Sequence, residues 1–289
     1  MSLPDRTSIL RLIRSWLAED IGTGDATSSS VIPKDLRIEA AIIARKPGIL
    51  AGVDAAREVF RIHDPSLRVT RELSDGKKLK SGEVILRIHG RARSIFEAER
   101  TALNLLGHLC GVATLAHAFA QRVVGTHARI LDTRKTLPGL RVLEKYAVTC
   151  GGGVNHRMRL DDAILIKTNH LRALGGGRVD KAILAAKKSS SRLVVEAEVA
   201  TWAEFERALS VHPDTILLDN WTLPAIRKAV DARNRLGSVV AGVRRPELEV
   251  SGGVTLANLR RIAQTGVERI SVGRLTHSAP SLDVSLRVL

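Results

Sequence analysis

"TILLD", residues 215–219, is an apolar run of strand length that ends on a carboxylate, and a helix-length segment follows it. Working outward, five further runs have a similar form: "ARILD" at 128–132, "AILIK" at 163–167, "LVVEAEV" at 193–199, "ELEVS" at 247–251 and "RISVG" at 269–273. Short apolar strands, most of them followed by a helix-length segment, predict parallel βα units. Six units fall short of the eight of a closed barrel, so the pattern predicts an α/β fold with an incomplete, open α/β barrel. A doubly wound open sheet is the alternative. The absence of a convincing G-x-G-x-x-G after the first strand weighs against the dinucleotide-binding version of it.

The earlier part of the chain has another rhythm. Ile9, Leu12, Ile13, Trp16 and Leu17 mark one face of an amphipathic helix. Between 36 and 90 the runs "LRIEAAII", "LRVTREL" and "GEVILRIHG" read as strands, with "SDGKKLKSG" as turn and 53–62 as a helix. This predicts a small α+β unit. Residues 94–124 read as a long helical region, with Gly111 as a break.

The 289 residues are 44% hydrophobic and 26% charged, which is globular composition. Lys and Arg outnumber Asp and Glu by 45 to 30, a net charge of +15 that favours anionic partners. Aromatics at 3% are too few for the stacking platforms of single-strand binders, and no block of like charges resembles a nucleic-acid tail. Small anionic ligands are the better reading. Cys110 and Cys150 form no C-x-x-C pattern and read as reduced thiols, with packing the expected role for Cys150 beside its glycine run. The first twenty residues lack the apolar stretch of a signal peptide, and no run reaches the length that spans a bilayer. The expectation is a soluble, cytoplasmic protein.

In a βα barrel the strands' carboxyl ends carry the site, because the βα loops converge there. Here the first strand ends at Asp132, Thr133, Arg134 and Lys135, the second at Lys167, and the fourth at Asp219 and Asn220. The fifth ends in Ser251, Gly252 and Gly253, and the sixth in Val272, Gly273 and Arg274. On the third strand Glu196 and Glu198 stand two apart and share a face. Facing inward, two carboxylates need a metal, a lysine or a substrate hydroxyl; facing outward they are trivial. The inward reading is preferred. Arg134 and Lys135 taken alone read equally as a solvated loop. Lys167 is harder to dismiss, since a buried ammonium needs a counter-charge. "CGGGVNHR" adds His156 and Arg157 after a glycine run, and the late glycines of "SGG" and "SVGR" allow a phosphate to approach backbone N–H groups. There is no H-E-x-x-H and no paired Cys/His spacing, so a zinc site is not expected.

"EDIGTGDATSSSVIP", "ERTALNLLGHLCGVAT", "DTRKTLPGLRVLEKYAV", "CGGGVNHR", "ILIKTNH", "VEAEV", "ILLDN", "SGGVT" and "ISVGRLTHS" occur in the order found in the quinolinate phosphoribosyltransferase family, which the chain resembles over nearly its whole length. The resemblance implies an N-terminal α/β sandwich domain, 1–115, joined by 276–289, and an open α/β barrel, 116–275. It implies transfer of phosphoribosyl from phosphoribosyl pyrophosphate to quinolinate with decarboxylation, Mg²⁺ as cofactor, and a homodimer or dimer-based oligomer. By the same resemblance Thr133, Arg134, Lys135, His156, Arg157 and Lys167 line the quinolinate and pyrophosphate region. Arg100 reaches across the dimer. Glu198 and Asp219 hold the ribose hydroxyls, directly or through the metal, and with Lys135 and Lys167 form the catalytic set. Ser251, Gly252, Gly253, Val272, Gly273 and Arg274 meet the 5′-phosphate. Two departures stand out: Thr168 where the family usually has an acidic residue, and Arg274 where alanine is common. Rival readings are a sister group of the same fold associated with molybdenum uptake, an aldolase-like barrel with Lys167 as a Schiff base, and a basic nucleic-acid binder.

Overall fold

The spacing of Ile9, Ile13 and Leu17 buries one face of a first helix, α1 (Arg6–Ile21). Asp25 then caps α2 (Ala26–Val31), its carboxylate accepting the N–H groups of Thr27 and Ser28. In this computed structural model, which describes residues 6–190, 192–236 and 245–289, the chain continues through β1 (Arg37–Ala44), β2 (Gly48–Ile49), α3 (Val53–His63), β3 (Arg68–Arg71), β4 (Lys78–Leu79), β5 (Val84–Arg91) and α4 (Ala92–Val123). There follow β6 (Arg129–Leu131), α5 (Arg141–Cys150), β7 (Ile164–Ile166), α6 (Thr168–Ala173), α7 (Val179–Ser189), β8 (Val195–Val199), α8 (Trp202–Ser210) and β9 (Thr215–Asp219). The chain ends with α9 (Leu223–Leu236), β10 (Glu247–Ser251), α10 (Leu259–Ala263), β11 (Arg269–Ser271), α11 (Arg274–His277) and β12 (Val284–Val288).

The chain divides into two compact units, one of residues 1–117, 136–152 and 274–289, the other of 118–135 and 153–273. In the first unit a four-stranded antiparallel sheet runs in the order β12-β1-β5-β3. The last strand therefore returns to the N-terminal sheet. Helix α4 is unbroken, contrary to the expected break at Gly111. That glycine has a packing reason instead: a Cβ there would strike the carbonyl of Pro280, so only glycine lets the C-terminal segment lie against the helix. Helix α4 is also long and apolar enough to cross a bilayer, contrary to the expectation that no run would be. However, 67% of that apolar stretch is buried within the fold, which makes it a core helix.

The second unit holds the six βα strands predicted, all parallel, in the order β6-β11-β10-β9-β8-β7. The first two strands in sequence, β6 and β7, stand at opposite edges, so the barrel is open between them. On the β6 edge the chain is met by one residue of the glycine-run segment. Val154 donates its N–H to the Ile130 carbonyl at 2.8 Å and accepts the Asp132 N–H at 3.2 Å, forming a parallel bridge to Leu131.

Strand register sorts the side chains by period two. Ile130, Ile166, Val195, Ala197, Val199, Ile216, Leu218, Leu248, Val250 and Ile270 share one pleat and are buried. The opposite pleat carries Arg129, Glu196, Glu198, Thr215, Asp219, Glu247, Glu249, Ser251, Arg269 and Ser271, interspersed with Leu131, Leu165 and Leu217. Charged side chains on this face of five of the six parallel strands are unusual, since both faces of such sheets ordinarily read as apolar. They therefore mark where the chemistry lies.

Candidate active site

Two carboxylates end adjacent strands on the polar pleat, Glu198 on β8 and Asp219 on β9. Glu198 Oε1 accepts two hydrogen bonds from Thr168, from its N–H at 3.1 Å and its hydroxyl at 2.6 Å. Its Oε2 lies 3.7 Å from the Lys167 Nζ, a side chain 52% exposed. The inward reading of the glutamates is thus borne out, with Lys167 as the lysine compensating Glu198. Asp219 accepts from the Asn220 amide at 3.1 Å, and Asn220, at φ 59, turns its own N–H onto the Ser251 carbonyl at 2.9 Å. Asn tolerates that left-handed backbone better than most residues. Gly252, at φ 85, lies against it, and a Cβ there would collide with the Asn220 side-chain amide. The turn after Ser251 is tied down further on, where the Asn258 amide donates to the Gly253 carbonyl at 2.9 Å.

One row deeper, Glu196 and Glu249 are 3% and 0% exposed. Glu196 Oε2 stands 3.0 Å from His156 Nε2, and Glu249 Oε1 stands 3.6 Å from the same nitrogen. Arg269 Nε donates to Glu249 Oε2 at 2.6 Å, and Arg129 and Arg269 both reach Glu247, at 2.7 and 3.6 Å. Burial alone works against a charged His156, but the hydrogen bond and charge of Glu196, with Glu249 behind it, hold its pKa above the usual histidine value. Burial first, then the Glu196 charge, pushes Glu249 up as well. Both shifts favour the protonated form of the group concerned. The Arg157 N–H donates to His156 Nδ1 at 2.8 Å, which leaves that nitrogen as an acceptor.

Among the described residues, His156, Glu196 and Glu249 are also the one group of three metal-ligand types close together. With Nδ1 already accepting a hydrogen bond, the neutral ring carries its proton on Nε2, so that nitrogen has no lone pair for a metal.

The bridge at Val154 brings two cationic segments side by side. Asp132, fully buried, accepts the His156 N–H at 2.9 Å. Arg157 Nη1 donates to the Ala163 carbonyl at 2.9 Å. Burial, then the charge of Arg134, lowers the Arg157 pKa, so these two half-buried guanidinium groups feel each other's field. Lys135 beside them is exposed, and Thr133 Oγ1 accepts its N–H at 3.1 Å. The remainder of "DTRKTLPGLR" belongs to the first unit, where Arg141 donates to the Thr136 hydroxyl at 3.0 Å.

Other assigned residues fall elsewhere. Val272 has its side chain buried and its N–H spent on the Leu131 carbonyl at 2.9 Å, so any ligand contact falls to its carbonyl. Arg100, exposed on α4, and Arg274, exposed at the start of α11, lie in the first unit. Both cysteines are free. Burial pushes the Cys110 thiol up to about 12 and the Cys150 thiol up to about 11, so neither is a ready nucleophile. Sequence reasoning missed Asp132 and Thr168 as supports, and it missed Glu249, although the alternation in "ELEVS" places that residue two before Ser251 on the same face.

Comparison with known proteins bears on the whole chain. Residues 25–110 match the family model of the quinolinate phosphoribosyl transferase N-terminal domain, and 112–287 match that of its C-terminal domain. The nicotinate-nucleotide pyrophosphorylase (carboxylating) of Mycobacterium leprae is 42% identical over 279 residues, 95% of each chain. The probable enzyme of the same name from Bacillus subtilis is 38% identical, over 96% of this chain and 92% of its own. The solved structure of the nicotinate-nucleotide pyrophosphorylase from Francisella tularensis superposes with a TM-score of 0.90 at 40% identity, covering 98% of this chain and 96% of that one. With both domain models matched in order and relatives aligned end to end, this chain belongs to the quinolinate phosphoribosyltransferase family.

Proposed function

We propose that this chain transfers the phosphoribosyl group of phosphoribosyl pyrophosphate to quinolinate with decarboxylation, giving nicotinate mononucleotide, pyrophosphate and CO₂ for de novo NAD biosynthesis. The observation that carries the reading is the Arg134–Arg157 pair, two half-buried cations held within each other's field at the open edge of the barrel. Two guanidinium groups brought to one edge of the sheet suit an anion that carries more than one carboxylate. Quinolinate brings two carboxylates, and guanidinium groups bind carboxylates in bidentate fashion. Lys135 and Lys167 supply further charge for the pyrophosphate. His156 has both ring nitrogens engaged, so its part is to anchor the segment that carries Arg157. Ser251, Gly252, Gly253 and Gly273, with Arg274, would meet the 5′-phosphate.

In the reaction, the bond from ribose C1 to the pyrophosphate oxygen breaks and its electron pair leaves with pyrophosphate. Glu198 and Asp219, at the ribose, stabilise the positive charge left on the sugar. The quinolinate ring nitrogen donates its lone pair to C1. The bond to the adjacent carboxylate then breaks, its electrons stay on the ring carbon beside the cationic nitrogen, CO₂ departs and that carbon takes up a proton. No protein nucleophile is needed. Glu198 and Asp219 are hard oxygen donors ending neighbouring strands, and they fit Mg²⁺, which takes one or two carboxylates together with substrate oxygens. When bound, Mg²⁺ neutralises charge on the pyrophosphate. The reading carries a cytoplasmic, dimeric enzyme in which Arg100 of one protomer completes the partner's site.

Lys167 is half exposed beside Glu198, not enclosed in the apolar pocket that Schiff-base chemistry uses, and this disfavours the aldolase reading. Calorimetric titration tests the anion site directly. Quinolinate should bind the wild-type protein, and either Arg134→Met or Arg157→Met should weaken it by about 10-fold or more. Nicotinate, with one carboxylate, should bind more weakly than quinolinate to the wild type and should lose less in the variants. Equal affinity for the two acids would contradict the proposal.

A further inference from the structure

We infer that the buried Glu196 and Glu249, with Arg269 beside them, are a positioning device for His156 and, through it, for the segment that presents Arg157. The inference rests on the proposed function for what Arg157 binds. Along their own strands Glu196 stands one pleat step before Glu198 and Glu249 one step before Ser251, and nothing in the reaction requires them to touch substrate. The contacts alternate in sign: Arg129 on Glu247, Glu247 on Arg269, Arg269 on Glu249, then His156 between Glu249 and Glu196. Barrel interiors are ordinarily filled by branched apolar side chains. Ion pairs buried there contribute little net stability, because desolvation offsets their attraction, and their best-attested use is to fix one arrangement.

The arrangement fixed here is that of His156, which is held at three points. Its N–H donates to the buried Asp132 carboxylate at 2.9 Å, its Nδ1 accepts the Arg157 N–H at 2.8 Å, and its Nε2 meets Glu196 Oε2 at 3.0 Å. Two of these three bonds involve the backbone of 156 and 157, so the orientation of the imidazole and the path of the chain into Arg157 are coupled. Glu196 and Glu249 each bury an Oε1 that makes no hydrogen bond. The two are therefore built around the ring, with acceptor capacity to spare, and Arg269 keeps Glu249 in place from the far side.

Amide exchange in the unliganded protein tests this independently of the reaction. In Glu196→Leu the Arg157 amide should exchange about 10-fold faster or more, because the ring that accepts it is no longer oriented. Glu196→Gln, whose amide oxygen still accepts from Nε2, should restore wild-type protection. In the same series KM for quinolinate should rise about 10-fold in Glu196→Leu, with kcat and KM for phosphoribosyl pyrophosphate changing less than about 3-fold. Glu249→Gln serves as the milder probe if Glu196→Leu does not fold, and a smaller shift of the same kind is expected. Unchanged Arg157 protection in Glu196→Leu and Glu249→Gln would overturn the inference, as would tight stoichiometric Zn²⁺ uptake that Glu249→Gln abolishes. A wild-type protein without turnover would contradict the proposed function and leave the exchange result to decide the positioning role.

Discussion

Thr168 stood out in the sequence as a departure without a role. Folding places its hydroxyl 2.6 Å and its N–H 3.1 Å from the same Glu198 oxygen, so it holds the carboxylate proposed at the ribose. Thr168→Val keeps the shape and removes one charge-assisted donor, and should lower kcat/KM by about 10-fold with the fold intact, measured by steady-state kinetics and circular dichroism. Glu249 permits a prediction in pH. Its folded pKa is raised, so its neutral form favours folding below the unfolded carboxyl value, and that contribution is lost as pH rises toward and through the folded value. Urea unfolding of the wild type and Glu249→Gln between pH 5 and 9 should therefore show the variant gaining relative stability as pH rises. A constant difference would contradict the shift. Neither Thr168 nor Glu249 was legible as a partner, because each acts on a residue about 30 to 90 positions away that only the sheet register brings near.

The strands were the most legible elements. Each of the six predicted runs became a parallel strand, since a short apolar run ending on a polar residue has few other ways to bury itself beside helices. The pairing of Glu196 with Glu198 on one face followed from the same period. What the pattern could not show was the segment at Val154, which joins the β6 edge through a single bridge and has no strand signal of its own. That segment is why "DTRK" and "VNHR", more than 20 residues apart, form one cationic site. Gly111 was misread for a related reason: its cause is the approach of Pro280, not a property of the helix. At Gly252 both reasons for glycine apply, a left-handed φ of 85 and the adjacent Asn220. Gly252→Ala should therefore displace Asn220 and the turn after Ser251, raising KM for phosphoribosyl pyrophosphate by about 10-fold or more while quinolinate affinity, read by calorimetry, changes little.

For the molecule as a whole, a net charge of +15 and polyanionic substrates make association salt-dependent. kcat/KM for both substrates should fall as ionic strength rises through the physiological range, with kcat nearly constant. The proposed dimer makes a complementary prediction. Arg100→Ala and Arg157→Met should each be inactive alone, and protomers exchanged between them should regain up to about a quarter of wild-type activity, because half the dimers then carry one intact site. No recovery after verified exchange would remove Arg100 from the partner's site. The most direct measurement is of products: the purified protein incubated with quinolinate, phosphoribosyl pyrophosphate and Mg²⁺, with CO₂, pyrophosphate and nucleotide quantified together. The account predicts the three in equal amounts from quinolinate and none from nicotinate. A folded protein that releases none of them, or that releases pyrophosphate equally well with nicotinate, would contradict it.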